Sequence, residues 1–193
     1  MIIGITGGSG SGKTTLLNVI GELGGMVLDC DAIYHRLLLE DGELLGRIEA
    51  RFPGVVEKGQ LQRKKLGQIV FSDENALRDL NAITHAAVKG EVARLLEEKP
   101  QLAAIDAIGL VEGDLSCLCD VTVAVLAPES QRIERLMKRD GITSDYAKKR
   151  IAAQKSDEWF CLHCDHTLVN EGTQQEFRGK CIAFLRDLGI MKP

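Results

Sequence analysis

Aromatic side chains make up only 4% of the chain, too few to build the stacking platforms on which single-stranded nucleic acid is held. Positive charge is not in excess either. Lys and Arg number 24 against 28 Asp and Glu, a net charge of −4, so any anion must be held locally rather than drawn by a general field. No apolar run is long enough to cross a membrane, and the opening "MIIGIT" lacks the basic flank and apolar stretch of a signal peptide. These absences predict a cytoplasmic protein with neither membrane nor nucleic acid as partner, whose six cysteines stay reduced.

Regular metal spacing is also missing. Cys161 and Cys164 form a C-x-x-C beside His163 and His166, and Cys117 and Cys119 form a C-x-C. That combination does not match the usual zinc frameworks, so the four cysteines are read as small, half-buried core residues and no structural metal is expected.

What the chain does have is alternation. With 45% apolar and 27% charged residues, it has the composition of one ordinary globular domain. Strand patterns at "MIIGIT", "GMVLD", "QLAAID", "DVTVAVL" and "HTLV" are short and apolar, as strands buried between helix layers are. Between them run helical stretches: Lys13 to Leu23, Asp31 to Arg51, Arg63 to Phe71, and a long one capped by Ser72 with apolar positions at Leu77, Leu80, Thr84, Val88, Val92 and Leu95. Others open at Pro128 (to about Arg139), at Thr143 (to about Lys155) and at Gln174 (to Leu188). The pattern predicts a three-layer α/β domain around a five-stranded, mostly parallel sheet.

Between the first strand and the first helix stands Gly7-Gly8-Ser9-Gly10-Ser11-Gly12-Lys13-Thr14, followed by Thr15. It matches G-x-x-x-x-G-K-[ST] in the strand–helix context that the motif requires. Main-chain N–H groups from Gly8 to Thr14 are expected to wrap the α- and β-phosphates of a nucleoside triphosphate, helped by the positive end of the helix. Lys13 reaches the β- and γ-phosphates, and the Thr14 hydroxyl helps to hold Mg²⁺. ATP and Mg²⁺ are therefore the expected cofactors, and the fold is that of a P-loop NTPase.

The second strand ends in "VLDCDAIYHRLL", with Asp29 and Asp31 two residues apart at the junction with the next helix. Ligands of doubly wound sheets sit beyond the carboxyl ends of the strands. A carboxylate there can orient an acceptor hydroxyl, take its proton, or hold Mg²⁺ through water. The plainer alternative is that Asp31 caps the helix it begins.

These segments resemble the dephospho-coenzyme A kinase family from Gly4 to about Leu188. The likeness is carried by "TGGSGSGKTT", "VLDCDAIYHRLL", "LQRKKLGQIVFSDENALRDLNAITH", "GLVE", "RIERLMKRDGIT", "RIAAQ" and "LVNEGT", in the family's order. The resemblance implies transfer of the ATP γ-phosphoryl group to the ribose 3′-hydroxyl of dephospho-CoA. It also implies a core (1–30 and 100–193), a helical coenzyme-binding subdomain (about 31–99) and a lid (about 136–156). By the same resemblance Asp31 is the general base with Asp29 in reserve, and Arg139 is the lid arginine over the transferring phosphate. Asn170 and Gly172 lie in the turn bordering adenine, and Arg63, Lys64 and His85 lie on the acceptor side, where cations meet the coenzyme's pyrophosphate. A monomer or small homo-oligomer is expected.

Two departures stand out. The family usually has His-Pro where this chain has His85-Ala86. It usually has a proline, two leucines, an aromatic and a glutamate where this chain has Ile108-Gly109-Leu110-Val111-Glu112. Both loosen the backbone near the acceptor. Two other readings remain. Uridine, shikimate and nucleotide kinases share the loop and lid, and spacing alone does not exclude them. A GTPase-like switch would use Asp106-Ala107-Ile108-Gly109 as D-x-x-G and Gln154-Lys155-Ser156-Asp157 as a near-match to the guanine-reading motif. That motif should follow a buried strand, whereas a charged helical segment precedes it here.

Overall fold

The computed structural model describes residues 1–191. In chain order its elements are β1 (Ile2–Thr6), α1 (Lys13–Glu22), β2 (Met26–Asp29), α2 (Cys30–Glu40), α3 (Gly42–Arg51), β3 (Val56–Glu57), β4 (Gln60–Leu61), α4 (Arg63–Val70), α5 (Glu74–Leu96), β5 (Ala103–Asp106), β6 (Val121–Leu126), α6 (Glu129–Asp140), α7 (Ser144–Ala152), α8 (Asp157–His163), β7 (His166–Val169) and α9 (Gln174–Asp187). The chain divides into two units: Met1–Val27 with Pro100–Val111 and everything from Ser116 onward, and Leu28–Lys99 with Glu112–Leu115.

The sheet is five-stranded in the order β2-β5-β1-β6-β7, and β1 pairs in parallel with β5 on one side and β6 on the other. Apolar side chains leave both faces of these strands, which is why they read as continuous hydrophobic runs. Ile3, Ile5, Val123 and Val125 meet Leu16 and Ile20 of α1 and Phe177, Cys181 and Leu185 of α9 on one face. On the opposite face of β6, Ala124 and Leu126 pack on Phe160 of α8. Fully burying an aliphatic or aromatic side chain of this kind contributes about 1.5–3 kcal/mol, so this layered core holds the loop after β1 on a stiff base.

Beyond the last two residues of β2, the second unit is mainly helical and holds the two-residue strands of the β3–β4 hairpin. Its core is built by Ile33 and Leu37 of α2, Leu44 and Ile48 of α3, Leu66 and Val70 of α4, and Val88 and Val92 of the long α5.

Three local readings need correction. Asp73, not Ser72, caps α5: its carboxylate accepts from the N–H groups of Asn75 (2.8 Å) and Ala76 (3.3 Å). Ser72 instead donates its hydroxyl backward to the carbonyls of Gln68 and Ile69, closing α4, and the ionised neighbour is the stronger acceptor for the new helix. Leu77, placed on the buried stripe of that helix, is 38% exposed. Helix α8 and the β3–β4 hairpin were not foreseen, because seven residues and two residues are too short for a periodic signal.

Candidate active site

The loop from Gly7 to Gly12 runs from β1 into α1, and its glycines answer to specific neighbours. Gly12 sits at φ +103° as the residue preceding α1, a conformation that side chains resist, and a Cβ there would collide with the Asn170 amide. A Cβ on Gly8 would collide with the Arg132 guanidinium. Helix α1 receives no side-chain cap and has no acidic residue in its first turn, so its positive end is left for an anion. Lys13 Nζ donates to the Gly7 carbonyl (3.0 Å) and lies 4.0 Å from Asp106 Oδ1, with both side chains largely enclosed. A lysine so placed requires a negative partner.

Sequence reasoning missed the residues that brace this loop. On α6, Arg132 Nε donates to the Ser9 carbonyl (3.0 Å), and Arg135 Nη1 donates to the carbonyls of Gly10 (3.1 Å) and Ser11 (3.3 Å). The two arginines are three residues apart and so share a helix face; the R-x-x-R spacing in "RIERLMKR" was the signal. Arg132 is 5% exposed. Burial lowers its pKa from the usual arginine value, while Asp157, 3.7 Å away, opposes that fall. Asp106, which the sequence offered only as the acid of D-x-x-G in the switch reading, ends the apolar strand "AAID" beside Lys13.

Arg139, chosen from the same helix, is placed differently. It is exposed at the end of α6 and pairs through two nitrogens with Asp140 (2.6 and 3.0 Å), whose other partner is Arg150 (2.8 Å). Among the described residues it makes no hydrogen bond to the loop. The Asn170 side chain turns toward the loop. It is 5% exposed and donates to the Ser11 carbonyl (2.8 Å), so it supports the loop. Among the described residues, Asn170 Oδ1 and Ser11 Oγ are buried without hydrogen-bond partners. Gly172 lies in the exposed turn between β7 and α9, where Gln131 of α6 donates to the neighbouring Glu171 carbonyl (2.8 Å). Thr14 is exposed at the start of α1, and Thr15 turns its N–H to the Gly12 carbonyl (3.0 Å).

The acidic pair divides its duties. Asp29 caps α2, its Oδ1 accepting from the Ala32 N–H (3.0 Å), so the capping duty considered for Asp31 belongs to its neighbour. Asp31 sits exposed in the first turn of α2, and among the described residues its carboxylate makes no hydrogen bond or ion pair. In the same unit Arg63 donates to His35 Nδ1 (3.2 Å), which fixes that nitrogen as the acceptor, since a guanidinium has no lone pair to offer. Arg63 also lines a cleft of about 410 Å³ with Lys58, Leu38 and Leu61. Lys64 is exposed, and His85 is half-buried on α5.

Two sequence signals dissolve. Among the described residues, no three His, Cys, Asp or Glu side chains could share a metal ion. Cys161 and Cys117 are exposed rather than half-buried, and burial pushes the Cys119 thiol up to about 12. The stretch from Gln154 to Asp157 joins α7 to α8 instead of ending a strand, so it is not placed to read guanine.

A family model described as dephospho-CoA kinase matches residues 1–176. The chain is 37% identical to the dephospho-CoA kinase of Anaeromyxobacter dehalogenans, over 97% of this chain and 92% of that one. A crystal structure from Thermus thermophilus superposes with a TM-score of 0.80 at 31% identity, covering 97% of each chain. The dephospho-CoA kinase of Campylobacter jejuni, 23% identical over 98% of each chain, shares the fold at a TM-score of 0.68. The chain belongs to the dephospho-CoA kinase family, enzymes that phosphorylate dephospho-CoA to coenzyme A at the expense of ATP.

Proposed function

We propose that this kinase transfers the γ-phosphoryl group of ATP to the ribose 3′-hydroxyl of dephospho-CoA, with Asp31 as the general base. The loop N–H groups and Lys13 hold the triphosphate, and Asp31 takes the proton of the 3′-hydroxyl as its oxygen attacks the γ-phosphorus and ADP departs. One observation carries the assignment. Asp29 performs the helix cap, which leaves the Asp31 carboxylate uncommitted among the described residues. The loop follows β1 and the acidic pair follows β2, strands of one sheet, and such sheets bind ligands beyond the strands' carboxyl ends.

The donors present suit Mg²⁺. Thr14 offers a hydroxyl, and Asp106, absent from the sequence-based choice, offers a partly enclosed carboxylate beside Lys13; these are the hard oxygen ligands that the ion takes. Bound there, the ion supplies charge neutralisation on the phosphate oxygens. Arg139 would exchange Asp140 for the transferring phosphate when the lid, about 136–156, engages ATP. Arg63, Lys64 and His85 form the cationic acceptor side in the helical subdomain (about 31–99), and the turn at Asn170 to Gly172 borders adenine through its main chain. The protein works in the cytoplasm as a monomer or small homo-oligomer, with no nucleic-acid partner.

The test is ATP consumption with dephospho-CoA set against uridine, shikimate and nucleoside monophosphates. Dephospho-CoA is expected to be the preferred acceptor and to gain its phosphate at the 3′ position. Faster turnover of any of the others would overturn the assignment.

A further inference from the structure

The loop is held by a residue from the far end of the sequence. Gln154 follows α7 and lies 145 positions from Ser9, yet its amide meets Ser9 twice. Its Oε1 accepts from the Ser9 N–H (2.9 Å), and its Nε2 donates to Ser9 Oγ (2.8 Å). The same Oε1 accepts from Arg132 Nη2 (2.9 Å), while Arg132 Nε donates to the Ser9 carbonyl (3.0 Å). Ser9 is thus held at its N–H, its carbonyl and its hydroxyl, and both Ser9 and Arg132 are 5% exposed.

Peptide geometry turns this clamp into a statement about phosphate binding. In a trans peptide the C=O and the following N–H point in opposite directions. The carbonyls of Ser9, Gly10 and Ser11 are all drawn toward side-chain donors, from Arg132, from Arg135, and from Arg135 with Asn170. The N–H groups of Gly10 and Gly12 must therefore face away from those side chains, while the Ser11 N–H closes a turn on the Gly8 carbonyl (3.2 Å). Ser9 itself gives its N–H to Gln154 and drops out of the phosphate-facing set.

We propose that Gln154 is a positioning residue for the nucleotide: with Arg132 it locks the peptide units on both sides of Ser9 and keeps the Ser9 N–H out of the phosphate grip. This narrows the set of N–H groups expected from the motif, which began at Gly8. The glycines at 8 and 10 make those peptide units easy to flip once the clamp is released, and Gln154 supplies the missing stiffness without touching the ligand. The inference rests only on the reading that the loop binds a nucleoside triphosphate, and is independent of which acceptor is phosphorylated.

The test is equilibrium binding of ATP to the full chain, followed by the fluorescence of its single tryptophan, Trp159, alongside binding of dephospho-CoA and the melting temperature. Gln154→Leu keeps similar bulk and removes the three bonds that Gln154 makes, leaving only the one from Arg132 to the Ser9 carbonyl. It is expected to weaken ATP binding about tenfold, the size of effect that losing a buried hydrogen-bond network brings, with dephospho-CoA binding within twofold of the wild type. Gln154→Glu still accepts from the Ser9 N–H, Arg132 and the Ser9 hydroxyl, and is expected to recover most of that loss. Ser9→Ala removes only the hydroxyl bond and is expected to weaken ATP binding by about two- to fourfold; it keeps the test open should Gln154→Leu fail to fold. ATP binding by Gln154→Leu within twofold of the wild type, or a parallel loss for both ligands, would overturn the proposal. So would an unchanged Ser9→Ala. A wild-type chain that binds no ATP would instead sink the nucleotide reading beneath it.

Discussion

The two strand–helix junctions of the proposed mechanism, β1 to α1 and β2 to α2, treat the helix N-terminus in opposite ways. Before α1 the junction residue is Gly12, no side chain caps the helix and no acid occupies its first turn. Stiffness comes from outside, through arginines of α6 that hold the loop carbonyls. Before α2, Asp29 caps the helix with its own side chain, and Asp31 adds a second negative charge in the first turn. The first junction keeps its N–H groups for an incoming anion. The second satisfies the Ala32 N–H with the Asp29 side chain and leaves the Asp31 carboxylate exposed, where the proposed mechanism uses it. A helix start can thus be a binding site or a mount, and the residue at the cap decides which.

The largest effect expected from breaking this contrast is at Lys13. Lys13→Ala removes the cation enclosed between the Gly7 carbonyl and Asp106. It should lower turnover by about a thousandfold or more while also weakening nucleotide binding, measured by steady-state kinetics and ATP titration. Asp29→Ala sharpens the contrast from the other side. Loss of the cap bond to Ala32 should cost about 1 kcal/mol of stability. For a chain of this size that lowers the melting temperature by about 2–4 °C, and turnover of the folded enzyme should stay within a few-fold. A collapse of turnover in Asp29→Ala would exchange the roles of the two acids.

The smallest effect concerns how the helical unit is fastened. Glu91 of α5 receives hydrogen bonds from Arg94 and Arg36, which hold its carboxyl at about 2 instead of 4.5. A depressed carboxyl stabilises the fold above its unfolded pKa and loses that contribution as pH falls through the folded one. Glu91→Gln should therefore be less acid-sensitive than the wild type between about pH 4.5 and pH 2, as read by melting temperature against pH.

Much of this was legible in the sequence. The sheet and its helices followed from short apolar runs set between amphipathic stretches, and the phosphate loop from a motif whose residues each have a mechanical duty. The acidic pair was legible too, although which acid capped the helix was not, since either could reach the first turn. The braces were harder to see. Arg132 and Arg135 share a helix face by their R-x-x-R spacing, but nothing in the sequence says that this face meets the loop. Gln154 could be recruited to Ser9 only by the tertiary fold, and no short-range pattern encodes a partner 145 residues away. The shift from Ser72 to Asp73 as the cap of α5 has a local cause, two capping residues in succession competing for adjacent helices.

The central claim is that Asp31 acts on the acceptor's proton while the loop holds the nucleotide independently of it. Asp31→Asn tests it most directly, with ATP affinity and turnover on dephospho-CoA measured on the same preparation. The account predicts ATP affinity within a few-fold of the wild type and turnover lower by about 10²–10⁴-fold, the range for loss of a positioned general base. Turnover close to the wild-type value would contradict it.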